Sequence, residues 1–116
     1  MKFICLKTCS TCKKAQKFLD DHKINYDLID IRTQNLGLDD LIKYQKLSGL
    51  KLRNFFNTSC QKYRDLNLKD RLDCMSDEEM LRLLESDGML VKRPLLVGED
   101  FCLVGFKEDK WRAKIC

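Results

Sequence analysis

Residues 2–6, KFICL, form a short apolar run of the kind that makes a strand buried on both faces. The next periodic stretch, residues 10–22, has a helical repeat, with Cys12, Ala15, Phe18 and Leu19 on one face. Residues 25–31, NYDLIDI, alternate as a second strand with Tyr26, Leu28 and Ile31 as apolar anchors. Residues 38–48 read as a helix with Leu38, Leu41, Ile42 and Leu47 inward, Asp39 and Asp40 in its first turn, and Gly49 ending it.

The segment 50–73 is less regular. Thr58 to Gln61 has the spacing of a capping box for a short helix through Leu66. Ser76-Asp-Glu-Glu79 is a second such box, before Met80, Leu81, Leu83 and Leu84, with Met75 and Met80 placed as a hydrophobic staple and Gly88 closing the helix. Leu95–Val97 and Phe101–Val104 are two β runs joined by a three-residue turn, Gly98-Glu99-Asp100. Lys107 to Ile115 predicts a last helix anchored by Trp111 and Ile115.

The order is β-α-β, a helical segment, then β-β-α. It predicts an α/β protein with a small mixed sheet covered by helices. At 116 residues, 44% hydrophobic and 34% charged, the chain suits one folded domain with a core that needs no disulfide staples. A net charge of +4, from 22 basic against 18 acidic residues, is too mixed to indicate nucleic acid. The apolar run in MKFICLKTC is far too short for a signal peptide or a membrane span. A cytoplasmic protein with mostly reduced thiols is expected.

Seven cysteines stand at 5, 9, 12, 60, 74, 102 and 116. The close pair in Cys9-Ser-Thr-Cys12 carries the candidate chemistry. Cys9 falls at the start of the first helix and Cys12 one turn in, close enough for a disulfide. Free N–H groups and the positive end of the helix stabilise a thiolate there. The gain is large: a thiol of pKa about 8.5 is about 3% ionised at pH 7, and one of about 7 is half ionised.

The charges on this helix are inverted, with Lys13 and Lys14 near its start and Asp20 and Asp21 near its end. Each misplaced charge costs about 0.3–1 kcal/mol. They either raise the potential at Cys9 or are simply tolerated on an exposed face.

Other readings of the pair are two core thiols, a zinc half-site, and a three-thiolate cluster site through Cys5. Zinc lacks a second ligand pair, His22 being the sole histidine, and Cys5 lies in the strand, where it faces the core. No metal is expected. Cys60, Cys74, Cys102 and Cys116 read as small buried or terminal residues. Arg93-Pro94, with the sole proline, either starts an edge strand or forms a cis bond beside the site. A cytosolic C-x-x-C near a β-α-β pattern points to a thioredoxin-like redox protein.

Whole stretches of the chain resemble the ArsC/Spx/YffB family of arsenate reductases, Spx regulators and related thiol reductases. They are Cys9-Ser-Thr-Cys12-Lys-Lys-Ala15, Asn57-Thr-Ser59, Asp87-Gly-Met-Leu-Val-Lys-Arg-Pro-Leu-Leu-Val97 and Leu103-Val-Gly-Phe-Lys107. The resemblance implies a thioredoxin-like fold over residues 1–116 with a helical insertion at about 34–88. It implies Cys9 as nucleophile and Arg93 before a cis Pro94.

Arsenate reductases of the family surround the oxyanion with three arginines. Only Arg93 has a counterpart here, since Asn57 and Gly105 stand at the other two positions. Spx regulators carry a second cysteine where Cys12 stands, but have acidic residues where this chain has Ser48-Gly-Leu-Lys-Leu-Arg-Asn-Phe-Phe56. The sequence is therefore most similar to the small ArsC-like thiol reductases.

The expected function is a thiol–disulfide oxidoreductase. Cys9 attacks, Cys12 resolves, and Arg93 orients an anionic group such as a glutathione carboxylate. Ser10, Thr11, Asn57 and Pro94 are expected to contact substrate. No bound cofactor is expected; glutathione, glutaredoxin or thioredoxin is the expected electron donor, to a monomer with a thiol or disulfide substrate. The alternatives are a redox-sensing regulator that binds RNA polymerase, as Spx does, and a true arsenate reductase.

Overall fold

A computed structural model describes residues 1–6, 9–33 and 36–115. Its elements are β1 (Lys2–Cys5), α1 (Ser10–Asp21), β2 (Asp27–Asp30), α2 (Leu38–Ser48), α3 (Gln61–Asp65), α4 (Leu68–Arg71), α5 (Asp77–Ser86), β3 (Leu95–Val97), β4 (Cys102–Val104) and α6 (Glu108–Ile115). Tight 3-10 turns at Leu52–Phe55, Leu72–Cys74 and Gly88–Leu90 join the helices between β2 and β3.

The sheet order is β2-β1-β3-β4. β1 and β2 run parallel, Phe3 opposite Leu28, as a strand–helix–strand crossover requires. β3 runs antiparallel to both β1 and β4. This is the small mixed sheet expected from the sequence.

Period-two alternation divides the core. Phe3, Cys5 and Leu96 point to one face, where Cys12, Ala15, Phe18, Leu19 and Trp111 of α1 and α6 cover them. Ile4, Leu6, Leu95 and Val97 point to the other face, against Leu41, Tyr44, Leu68, Leu84 and their neighbours in the helical segment. Both faces are buried, which is why KFICL is continuously apolar. Trp111 stacks edge-on to Phe3, Phe18 and Phe106 and donates its indole N–H to the Gly105 carbonyl at 3.0 Å.

Several expectations need correction. Leu28 is 45% exposed, because β2 lies at the sheet's edge and is covered less fully than the central strands. Ile42 is 36% exposed; the inward face of α2 is set by Leu41 and the aromatic ring of Tyr44 three residues on. Cys60 and not Thr58 is the N-cap of α3, with no side-chain cap bond. Asn57 instead folds the entry as an Asx turn, its Oδ1 accepting the Ser59 N–H at 3.1 Å.

α4 was not expected. Asn67, in the left-handed region at φ +54°, breaks it from α3, a conformation that asparagine tolerates better than most residues. α5 ends at Ser86, and Gly88 opens the following turn instead of closing the helix. Cys74 is exposed, while Cys60 and Cys102 are buried as expected. Cys116 and the start of the expected insertion at 34 and 35 lie outside the described residues.

The second capping box fits: Ser76 Oγ accepts the Glu79 N–H at 3.3 Å. Gly49, at φ +69°, ends α2 as expected. Among the described residues no helix is long and apolar enough to cross a membrane.

Candidate active site

Just beyond β1, the Cys9 N–H bonds to the Leu6 carbonyl at 2.9 Å. Cys9 is extended (φ −80°, ψ 124°) at the N-cap of α1, and its own carbonyl accepts the Lys13 N–H at 3.1 Å. Cys9 is half-buried, and Cys12, one turn in, is buried in the α1 face of the core. The Cys12 sulfur accepts the Leu6 N–H at 3.4 Å. Both thiols are free.

The environments of the two sulfurs push their ionisation apart. Burial acts to raise Cys9, but it is outweighed by the Cys12 N–H and thiol, the Thr11 N–H and the Arg93 charge, so its pKa falls below the ordinary thiol value. The sulfur makes no full capping hydrogen bond, so these N–H groups act by direction and proximity at the open helix end. Cys12 is pushed up to about 12, first by burial and then by the charge on Cys9, against the one N–H from Leu6. The cation acting on Cys9 is Arg93. Lys13 and Lys14 are exposed, and neither is among the main influences on Cys9.

Arg93 reaches Cys9 from the far end of the sequence. The Arg93–Pro94 peptide is cis. Arg93 Nη1 donates to the carbonyls of Gly88, Met89 and Val91 at 3.4, 3.3 and 3.2 Å. These three carbonyls belong to a loop held by Asp87, which accepts the Met89 N–H at 2.9 Å and the Lys62 ammonium at 3.1 Å. The Met89 N–H, and after it Lys62 and Arg93, hold the Asp87 carboxyl below its usual range despite partial burial. Arg93 Nε is buried and lacks a partner among the described residues. A buried donor left unpaired is costly, so an acceptor supplied by a ligand would relieve it.

The helical segment is laced to the same loop. Asn57 N–H bonds to the Leu90 carbonyl and Lys92 N–H to the Phe55 carbonyl, both at 2.7 Å. Gly105 N–H bonds to the Pro94 carbonyl at 2.8 Å. Gly105 has φ +73°, and a Cβ there would come within 3.1 Å of the Lys92 side chain. A glycine therefore keeps this wall of the site open.

The result is a cavity of about 820 Å³. Of the residues expected from the sequence, Cys9, Thr11, Asn57 and Arg93 line it. Ser10 is exposed beside it, while Cys12 and Pro94 are buried behind it and do not line it. Asn57 and Gly105, where arsenate reductases place arginines, both face the cavity, so Arg93 is the one guanidinium among its described lining residues.

Sequence reading missed Lys62, Asp87, Lys92 and Lys107 as cavity residues. Asp87, Lys92 and Lys107 lie inside the stretches that carry the family resemblance, which was the available signal. Lys62 had none, because its approach depends on how α3 packs.

A four-stranded mixed sheet, a cysteine pair at the first helix and a cis-proline just before β3 define a thioredoxin-like α/β protein. The sequence pattern of the ArsC family matches residues 5–114, and the chain belongs to that family. It is 48% identical over 103 residues to the uncharacterized protein YusI of Bacillus subtilis, covering 89% of this chain and 87% of that one. It is 26% identical over 105 residues to the global transcriptional regulator Spx of Listeria innocua, covering 90% and 79%. The crystal structure of an ArsC family related protein from Bacteroides fragilis matches with a TM-score of 0.94 at 43% identity, covering 97% of this chain and 94% of that one.

Proposed function

We propose that this protein is a cytoplasmic thiol–disulfide oxidoreductase with Cys9 as nucleophile and Cys12 as resolving thiol. The observation that carries the reading is the opposed ionisation of two adjacent thiols, one facing a cavity and lowered, the other buried and raised to about 12. Cys9 thiolate attacks one sulfur of a substrate disulfide, forming a mixed disulfide and expelling the other sulfur as thiolate. Cys9 then carries no charge, so one of the causes holding Cys12 protonated disappears. Cys12 loses its proton and attacks the Cys9 sulfur. A Cys9–Cys12 disulfide forms, and the second half of the substrate leaves as a thiolate. Two electrons and two protons from glutathione, glutaredoxin or thioredoxin return the pair to its thiols.

Arg93 orients an anionic group of the substrate, with its Nε as the available donor. Thr11 and Asn57 supply neutral polar contacts in the same cavity. Ser10 lies exposed at its edge, and Pro94 supports the wall from behind through its carbonyl bond to Gly105. Trapping tests the reading: Cys12→Ser accumulates a mixed disulfide on Cys9 that mass spectrometry identifies. Reductase activity retained in Cys9→Ser would overturn it.

A second reading, a redox-sensing regulator that binds RNA polymerase, is supported by the similarity to Spx. Polymerase recovered in a pull-down in only one redox state of the Cys9–Cys12 pair would favour it. Arsenate reduction is disfavoured, because two guanidinium groups are missing from the cavity wall at Asn57 and Gly105. An arsenate-dependent rate above buffer would restore it.

A further inference from the structure

Next to the Cys9 cavity lies a second one of about 330 Å³. Lys92, Val104, Gly105 and Lys107 line both, so the two basins are neighbours across one ridge. The second basin adds Lys110 and has Ser48 and Asn54 as neutral polar groups. No carboxylate is among its lining residues, and Lys92, Lys107 and Lys110 make no ion pair among the described residues. The single carboxylate of the first basin, Asp87, is already engaged by Lys62. The ridge and the second basin are thus a one-sign region in a chain whose charges are otherwise mixed, and such a region concentrates anions.

The backbone says what kind of anion. All three residues of β4 line this basin, and β4 is the edge of the sheet, with no strand paired beyond it among the described residues. An edge strand offers N–H and C=O groups to an extended peptide. Leu50, 41% exposed, adds an apolar contact at the rim. Nucleic acid is a poor match: the aromatic ring of the basin, Trp111, is 1% exposed and gives a base no face to stack on.

We propose that the second basin binds an acidic stretch of a polypeptide substrate whose cysteine sits at Cys9. This rests on the thiol-exchange reading for the first basin. A small thiol can be housed in the first basin alone, whereas only a longer chain crosses the ridge to the lysines.

Two synthetic peptides test the proposal. Each carries one cysteine as a mixed disulfide with glutathione, followed on one side by aspartates and glutamates or, in the control, by serines and glycines. Fluorescein-labelled serine versions of both report binding by anisotropy. At low ionic strength the acidic peptide is expected to bind about five- to tenfold more tightly, the combined effect of two or three exposed charge pairs. The preference is expected to drop below about twofold in Lys107→Gln/Lys110→Gln and at high salt. It is expected to fall partway in Lys110→Gln alone and to persist in Lys17→Glu, which lowers net charge at an exposed α1 position that lines neither basin.

Equal binding of the two peptides, a preference that survives the double variant, or one lost equally in Lys17→Glu would overturn the proposal. So would displacement of the acidic peptide by a single-stranded oligonucleotide at lower concentration than by its own unlabelled form. The two readings separate cleanly. Equal kcat/KM for both mixed disulfides removes the acidic docking and keeps thiol exchange. Acid-selective binding with no turnover of either peptide keeps the docking and removes thiol exchange.

Discussion

Cys9 and Cys60 stand in closely similar local settings. Each is a helix N-cap in extended backbone, at φ −80°, ψ 124° and φ −82°, ψ 144°, and each lines the same cavity. What surrounds them differs. Cys9 heads a helix of 12 residues and Cys60 one of five, so the open N–H groups and dipole behind Cys9 are better organised. One turn into α1 stands a second thiol, Cys12; one turn into α3 stands Tyr63. Arg93 acts on Cys9. A cap position is therefore common to both thiols. A long helix, a cation brought from elsewhere in the chain, and a partner thiol set Cys9 apart, and on the proposed reading these make it the nucleophile.

The largest expected effect breaks this comparison directly. Cys9→Ser is expected to lower disulfide reductase activity by at least about a thousandfold, while Cys60→Ser stays within about threefold of the parent, measured as kcat/KM on one mixed disulfide. Equal losses would show the two caps to be chemically equivalent. Cys12→Ser comes next. Its first half-reaction is expected to proceed at close to the parent rate, while multiple turnover falls by about tenfold or more as the mixed disulfide accumulates. Stopped-flow and mass spectrometry separate the two steps.

The cation is probed through its support. Asp87→Ala removes the acceptor of the Met89 N–H and the partner of Lys62, freeing the loop whose carbonyls hold Arg93. It is expected to raise KM several-fold with a smaller change in kcat. Asp87→Asn, which keeps an acceptor for Met89, is expected to recover part of the loss. The smallest effect is expected for Lys13→Glu, which leaves the Cys9 pKa nearly unchanged; a rise approaching that caused by Arg93→Ala would return α1's own lysines to the mechanism.

The contrast between α1 and the helical segment also separates what the sequence reveals from what it does not. Apolar periodicity placed β1, α1, β3, β4 and α6, because each buries a regular face against one sheet. The Cys9–Cys12 pair was legible because its chemistry is local to one helix turn. Between β2 and β3 the helices are short, and their ends answer to tertiary contacts. Asn57 takes an Asx turn where Thr58 looked like a cap, and left-handed Asn67 splits one apparent helix into two. Arg93 could be named as a candidate from its proline and the family resemblance. Its bond to three loop carbonyls, and the Asp87–Lys62 pair that steadies them, depend on residues 25 positions apart meeting in the fold.

Site-resolved alkylation against pH tests the central claim most directly. Iodoacetamide labelling rates, read peptide by peptide, report each thiolate fraction. For Cys9, whose folded pKa is lowered, the rate is expected to fall about tenfold per unit only below a midpoint beneath that of a free thiol. For Cys12, raised to about 12, labelling is expected to stay negligible across the same range. A Cys9 midpoint at or above the free-thiol value, or Cys12 labelled before Cys9, would contradict the account.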